Sequence, residues 1–234
     1  MEVDLQMKSL GALNRALIAC RRCPRLVAWR ERVAREKRRA YRHHTYWGKP
    51  VPSFGDPKAR VLLVGLAPGA HGANRTGRLF TGDGSGDFLF PALHRAGFAN
   101  QPTSEHARDG LRLSAMYVVA VAHCAPPGNK PTPVEMARCR VYLVRHLGLL
   151  RDVRVILALG RIAWDGVLAA LRERSVPIPS PRPSFAHAAV CTIGPYRLVG
   201  SYHPSRQNTQ TGRLTRAMLD RVLRRVRELA GGPK

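Results

Sequence analysis

Apolar residues in this chain fall into two rhythms. Four short segments, Arg60–Gly65, Tyr117–Val121, Val153–Leu159 and Tyr196–Ser201, are apolar almost throughout and rich in valine, leucine and isoleucine. Such runs predict buried β-strands. Elsewhere the apolar positions recur three and four residues apart, which predicts amphipathic helices. Leu5, Leu10, Leu13, Leu17 and Ile18 share one face of a helix over residues 5–19. Phe88, Leu89 and Leu93 point inward from a helix over residues 86–96. A further helix opens at Pro133, with Thr132 as its N-cap and Glu135 completing a capping box. Another runs from Gly160 to about Arg174. The last, over residues 214–229, places Leu214, Met218, Leu219, Val222, Val226 and Leu229 on one stripe with a basic face opposite. Residues 29–42 are mostly charged, with Glu31 and Arg35 one turn apart, and read as a solvated helix. Residues 46–57, the polar stretch 99–112 and the proline-rich stretch 175–188 read as irregular connections.

Strands alternating with helices predict a three-layer α/β/α fold around a central four-stranded, mainly parallel sheet. We expect one domain over residues 1–234, with residues 1–57 adding N-terminal helices. No internal repeat or low-complexity segment interrupts it. Three loops follow strands and should meet at one edge of the sheet, where α/β proteins bind ligands. They are the glycine-rich loop from Gly65 to Asp83, the Pro-Pro-Gly-Asn129 loop, and Tyr202-His203-Pro204-Ser205. The first is far longer than the ~2–6 residues usual for such a connection. Its glycines allow backbone N–H groups close to an acceptor. It lacks a Gly-Lys-Ser/Thr ending, which argues against a P-loop.

Charge sharpens the picture. Lys and Arg number 39 against 15 Asp and Glu, a net charge of +24. Polyanions are the expected partners, nucleic acid first, although an arginine-rich genome accounts for part of the bias. The excess concentrates in residues 21–60, with 13 basic and 3 acidic side chains, and in residues 205–234, with 8 and 2. No apolar run reaches the ~18 residues needed to span a bilayer, so no membrane partner is expected. Met1-Glu2-Val3-Asp4 has neither the basic nor the apolar region of a secretory signal. The expectation is a cytoplasmic, nucleoid-associated monomer.

In that compartment cysteines serve metals or catalysis more often than disulfides. Cys20-x2-Cys23 and the pair Cys124 and Cys139 form a four-thiolate set suited to either a [4Fe–4S] cluster or zinc. Cys191 lies in an apolar run and reads as a core residue.

Together the loops resemble the uracil-DNA glycosylase superfamily, over roughly Cys20 to Arg213. The stretch Gly65-Leu66-Ala67-Pro68-Gly69-Ala70-His71-Gly72-Ala73-Asn74-Arg75-Thr76-Gly77-Arg78 is most like the first motif of family 5, the type-B enzymes. The resemblance implies base flipping and hydrolysis of the N-glycosidic bond of uracil, with hypoxanthine and other damaged bases also accepted. It implies a catalytic Asp83, positioning water and stabilising positive charge on the sugar, with Asp87 as the fallback. It implies that His203 hydrogen-bonds the departing base, helped by backbone amides at Leu66 and Ala67. Phe80 would stack on the flipped base and Asn129 would read its edge. Arg75, Arg206, Gln207, Asn208 and Arg213 would contact DNA. Family 4 shares the four-cysteine pattern and carries an iron–sulfur cluster, which favours [4Fe–4S] at Cys20, Cys23, Cys124 and Cys139 over zinc. Sister families place a polar side chain where Leu66 and Ala67 stand, so the chemical burden moves to Asp83. The competing reading is a non-catalytic binder of damaged or single-stranded nucleic acid with a structural metal site.

Overall fold

The computed structural model describes residues 8–231, so Leu5 lies outside the described residues. Helix α1 (Leu10–Ile18) starts at Ser9, whose hydroxyl accepts the Ala12 amide, and it buries Leu13 and Leu17. Helix α2 (Pro24–Glu36) differs from expectation at both ends. It begins immediately after the Cys20–Cys23 turn because Pro24 sits at N1, where its missing N–H costs nothing. It stops where Lys37 turns to φ 55°. Nor is it merely solvated: Leu26, Val27, Arg30 and Val33 are buried. Residues 39–41 form one 3-10 turn, and a short helix α3 (Ala73–Thr76) lies within the glycine-rich loop.

The sheet holds six strands in the order β1-β3-β2-β4-β6-β5. They are β1 (Phe54–Gly55), β2 (Val61–Gly65), β3 (Met116–Ala120), β4 (Val155–Leu159), β5 (Val190–Ile193) and β6 (Tyr196–Ser201). The four expected strands are β2, β3, β4 and β6, and they run parallel, with Val61 beside both Met116 and Val155. Two antiparallel edge strands complete the sheet. Hydrophobic pattern could not show them. One is two residues long and the other is half exposed, so neither carries a buried run.

Successive side chains of a strand point to opposite faces, and the two layers follow from that alternation. Val61, Leu63, Val118, Leu157 and Val199 pack under helices α4 (Gly84–Arg95) and α8 (Arg216–Leu229). Leu62, Val64, Val119, Ile156 and Leu198 pack under α5 (Pro133–Leu149) and α6 (Arg161–Glu173). A third cluster, Leu13, Leu17 and Tyr142, docks α1 on α5 beside Cys20 and Cys139. From β2 the chain moves outward to β3, then crosses to β4 on the other side of β2. The loops leaving β2 and β4 therefore diverge, and a crevice opens at that switch point.

Candidate active site

The crevice is a cleft of about 900 Å³ at the carboxyl ends of the parallel strands. Each strand supplies part of its wall: Leu66 and Ala67 after β2, Asn129 after β3, Gly160 after β4 and His203 after β6.

The glycine-rich loop is wrapped around Asp83. Oδ1 of Asp83 accepts the amides of Ser85 at 2.9 Å and Gly86 at 3.3 Å, capping α4. Oδ2 faces back into the loop. A Cβ on Gly72 would lie 2.0 Å from it and one on Gly69 2.9 Å. These two glycines leave the space that the carboxylate occupies. Asp83 is thus both a helix cap and a wall of the cleft. Burial raises its pKa, while the two amide bonds and the nearby Arg206 charge pull the other way. Asp87 stands in the first turn of the same helix but does not line the cleft.

Phe80 takes φ 53°, an uncommon backbone region for a bulky side chain, and its ring lies over the end of β2. A Cβ on Gly65 would come within 2.6 Å of the Phe80 Cζ, so only glycine lets the ring settle there. The Phe80 and His203 rings lie 5.8 Å apart, tilted by 31°. Burial lowers the His203 pKa to about 4. Its imidazole is therefore neutral near pH 7, with one nitrogen a donor.

Asn208 does not contact the cleft as a free amide. Its Nδ2 donates to the His203 carbonyl at 2.8 Å, clamping the histidine loop. Arg75 is likewise spent on structure: Nε donates to the His71 carbonyl and Nη2 to the Gly82 carbonyl, both at 2.8 Å. It binds the two arms of the glycine-rich loop together. Arg206 and Gln207 are exposed on the short helix α7 (Arg206–Gln210). Arg213 lies 4.7 Å over the Tyr202 ring. Asn129 has φ 57° on an exposed 3-10 turn at the cleft mouth.

Several cleft residues carried no assigned role in the sequence. His71, whose Nδ1 lies 3.0 Å from the Tyr46 hydroxyl, sits inside the most specific motif and could have been singled out on that ground. Arg38, Tyr41, Ile162 and Tyr202 also line the cleft. Tyr202 belongs to the histidine loop, whereas Arg38, Tyr41 and Ile162 come from distant segments that no local pattern marks.

Cys20, Cys23, Cys124 and Cys139 line one small pocket together with Leu26, Val27, His123 and Arg138. Nη1 of the buried Arg30 donates to the Cys124 sulfur at 2.9 Å. Burial pushes the Cys124 thiol up to about 11 and raises Cys23 and Cys139 too. Among the described residues no group of three or more His, Cys, Asp or Glu side chains is arranged to hold a metal ion. No helix among them is long and apolar enough to cross a membrane.

A three-layer α/β protein with a ligand cleft at the switch point of its sheet is the class that fold and site define. The family model of the uracil DNA glycosylase superfamily matches residues 52–227, and the chain belongs to that superfamily. Among curated relatives, the Type-5 uracil-DNA glycosylase of Thermus thermophilus is 54% identical over 94% of this chain and 98% of its own length. That of Mycobacterium tuberculosis is 51% identical over 95% of this chain and 82% of its own. The Type-4 uracil-DNA glycosylase of Archaeoglobus fulgidus is 32% identical over 67% of this chain and 62% of its own.

Proposed function

We propose that this protein excises uracil from DNA as a monofunctional N-glycosylase, leaving an abasic site for repair. The observation that carries the proposal is the meeting of a half-buried carboxylate, Asp83, and a neutral imidazole, His203, in one cleft walled by Phe80. A base must leave the stack to enter such a cleft. Phe80 offers it a stacking face, and Asn129 at the mouth offers both a donor and an acceptor for its edge. As the glycosidic bond breaks, negative charge grows on the base and positive charge on the deoxyribose. The imidazole N–H of His203 donates to the base oxygen; a preorganised donor of this kind is worth most where water is excluded. The carboxylate of Asp83 faces the sugar and orients the attacking water. The apolar Leu66 and Ala67 place no hydrogen-bonding side chain against the base. That favours acceptance of hypoxanthine and other deaminated bases beside uracil. The proposed setting is a monomer acting in the cytoplasm, where chromosomal DNA is reached.

The four cysteines supply the all-sulfur donor set that a resident [4Fe–4S] cluster takes. They come from the α1–α2 turn, the β3 loop and helix α5, yet line one pocket. The buried Arg30 guanidinium donates to the Cys124 sulfur, as suits stored negative charge. A cluster would tie the N-terminal helices to the cleft domain and supply structural support. Zinc is the alternative. Purified protein is expected to contain iron and to absorb in the visible range, with both signals lost on changing the four cysteines to alanine; zinc without iron would reverse the assignment.

The test of the activity is base release from duplexes bearing one uracil, one hypoxanthine or only normal bases, followed by cleavage at the abasic site. Asp83→Asn should lower uracil release by about 10²–10⁴-fold while DNA binding persists. Binding without release by the wild type would favour the non-catalytic binder.

A further inference from the structure

Between α2 and β1 the chain runs along the rim of the cleft. Arg38 and Tyr41 line it, and Arg39, Arg42, His43 and His44 are exposed around the 3-10 turn. A charged stretch is usually plain solvated surface, but this one is built differently. Among the described residues none of Arg38, Arg39 and Arg42 is paired with a carboxylate, so the cluster repels itself. It is nevertheless held in place along its length. Lys37 Nζ donates to the Arg42 carbonyl at 3.3 Å, and the amides of Trp47 and Gly48 donate to the carbonyls of Arg75 and Asn74 at 3.0 Å. The Arg75 guanidinium lies 4.0 Å over the Tyr41 ring, and its Nη1 is 3.2 Å from His44 Nδ1. That same guanidinium holds the carbonyl of Gly82, next to Asp83. An irregular cationic segment has therefore been fastened to the loop that carries the proposed catalytic carboxylate.

Its position completes the argument. The segment is anchored to the loop after β2, whereas Arg206 and Arg213 come from the loop after β6, and β4 lies between those strands. Cations thus stand on two sides of the cleft. We propose that residues 38–44 form a phosphate-binding lip, gripping the backbone of the uracil-bearing strand opposite the histidine loop. The inference rests on the excision activity proposed above and adds a recognition element outside the loops that follow the parallel strands.

Counting phosphates by salt dependence tests it. Each phosphate contact adds about 0.9 to the slope of log affinity against log salt on duplex DNA. Binding and turnover of a uracil-bearing duplex would be measured from low to moderate salt. Arg38→Ala/Arg39→Ala/Arg42→Ala should flatten the slope by about 2–3, the loss falling on KM rather than kcat. The Arg39→Ala/Arg42→Ala pair, both exposed, should flatten it by about 2 and covers the case in which the triple variant folds poorly. Arg151→Ala/Arg154→Ala, at the opposite end of β4, should leave it unchanged. An unchanged slope in the lip variants, or an equal change in the control, would overturn the lip. A wild type that releases no uracil would instead overturn the excision reading.

Discussion

At the scale of single residues, Asp83 shows why a carboxylate suited to this chemistry is costly to keep. Its folded-state pKa is raised, so the charged form is disfavoured in the native protein relative to the unfolded chain. The native state therefore loses stability as pH rises from the unfolded value through the folded one. Asp83→Asn keeps a capping oxygen and removes the charge. Urea unfolding should find it more stable than the wild type at pH 7, with the difference closing at pH values where Asp83 is protonated. With Asp83 in its proposed role, the same shift moves the acid limb of uracil release upward from the ordinary aspartate value. His203, titrating at about 4, should add no limb near pH 6–7. Single-turnover rates between pH 4 and 8 check both points, and an inflection near 6.5 would count against a neutral His203. Gly72 offers a purely steric test. A methyl group there would stand 2.0 Å from Asp83 Oδ2, so the carboxylate or the loop must move. Displacement on that scale should lower activity by about 100-fold, with circular dichroism unchanged.

At the scale of elements, the cleft depends on loops that have been stiffened from outside. The polar stretch 99–112 is one stiffener. Asp109 binds Arg78 at 2.6 Å with both side chains almost fully buried, and Ser104 and Thr81 complete the hydrogen bonds of the guanidinium. Burial alone would raise the Asp109 pKa, but the Arg78 bonds and the amides of Leu111 and Glu105 outweigh it and hold it well below the usual carboxylate range. A depressed acid stabilises the fold above its unfolded pKa and loses that contribution as pH falls through the folded value. Arg78→Ala leaves Asp109 buried without its partner and should cost about 3–5 kcal/mol, read from chemical denaturation at pH 7. The deficit should shrink in acid. Helix α2 is a second stiffener. Arg25 reaches Glu135 at 2.7 Å, joining the helix after the first cysteine pair to the one that carries Cys139. This link serves the proposed cluster site by holding its two halves in register before any metal binds.

At the scale of the whole molecule, the sheet order explains where the cleft lies. Because β2 and β4 are neighbours whose connections leave in opposite directions, their loops part and the cleft lies between them. Charge is then arranged around that opening. The net charge of +24 is a solution property, whereas Arg38, Arg206 and Arg213 stand at the cleft itself. For this reason the salt slope of the lip variants, rather than overall charge, is the informative measurement of DNA engagement.

What the sequence determined by itself was everything that local pattern or short-range chemistry encodes. The four parallel strands are legible because each is a buried apolar run. The Thr132–Glu135 capping box is legible because its partners are three residues apart. The glycine-rich loop is legible from its own composition and length; the family resemblance implies the roles of Asp83, Phe80 and His203, and the cleft brings these residues together. The tertiary structure decided what depends on residues far apart in the chain. Edge strands β1 and β5 exist because neighbouring strands offer them hydrogen bonds, and their own residues carry little signal. Arg75 is a phosphate ligand by its type and place, yet the fold gives each of its three nitrogens a partner within the protein, two carbonyls and the His44 ring, and lays the guanidinium over Tyr41. Asn208, expected at DNA, is held by the His203 carbonyl. Arg38 and Tyr41 became part of the rim only when the chain between α2 and β1 was laid against the β2 loop. A residue's type limits what it can do, but the groups within about 4 Å decide which of those things it does, and only the folded chain brings them there.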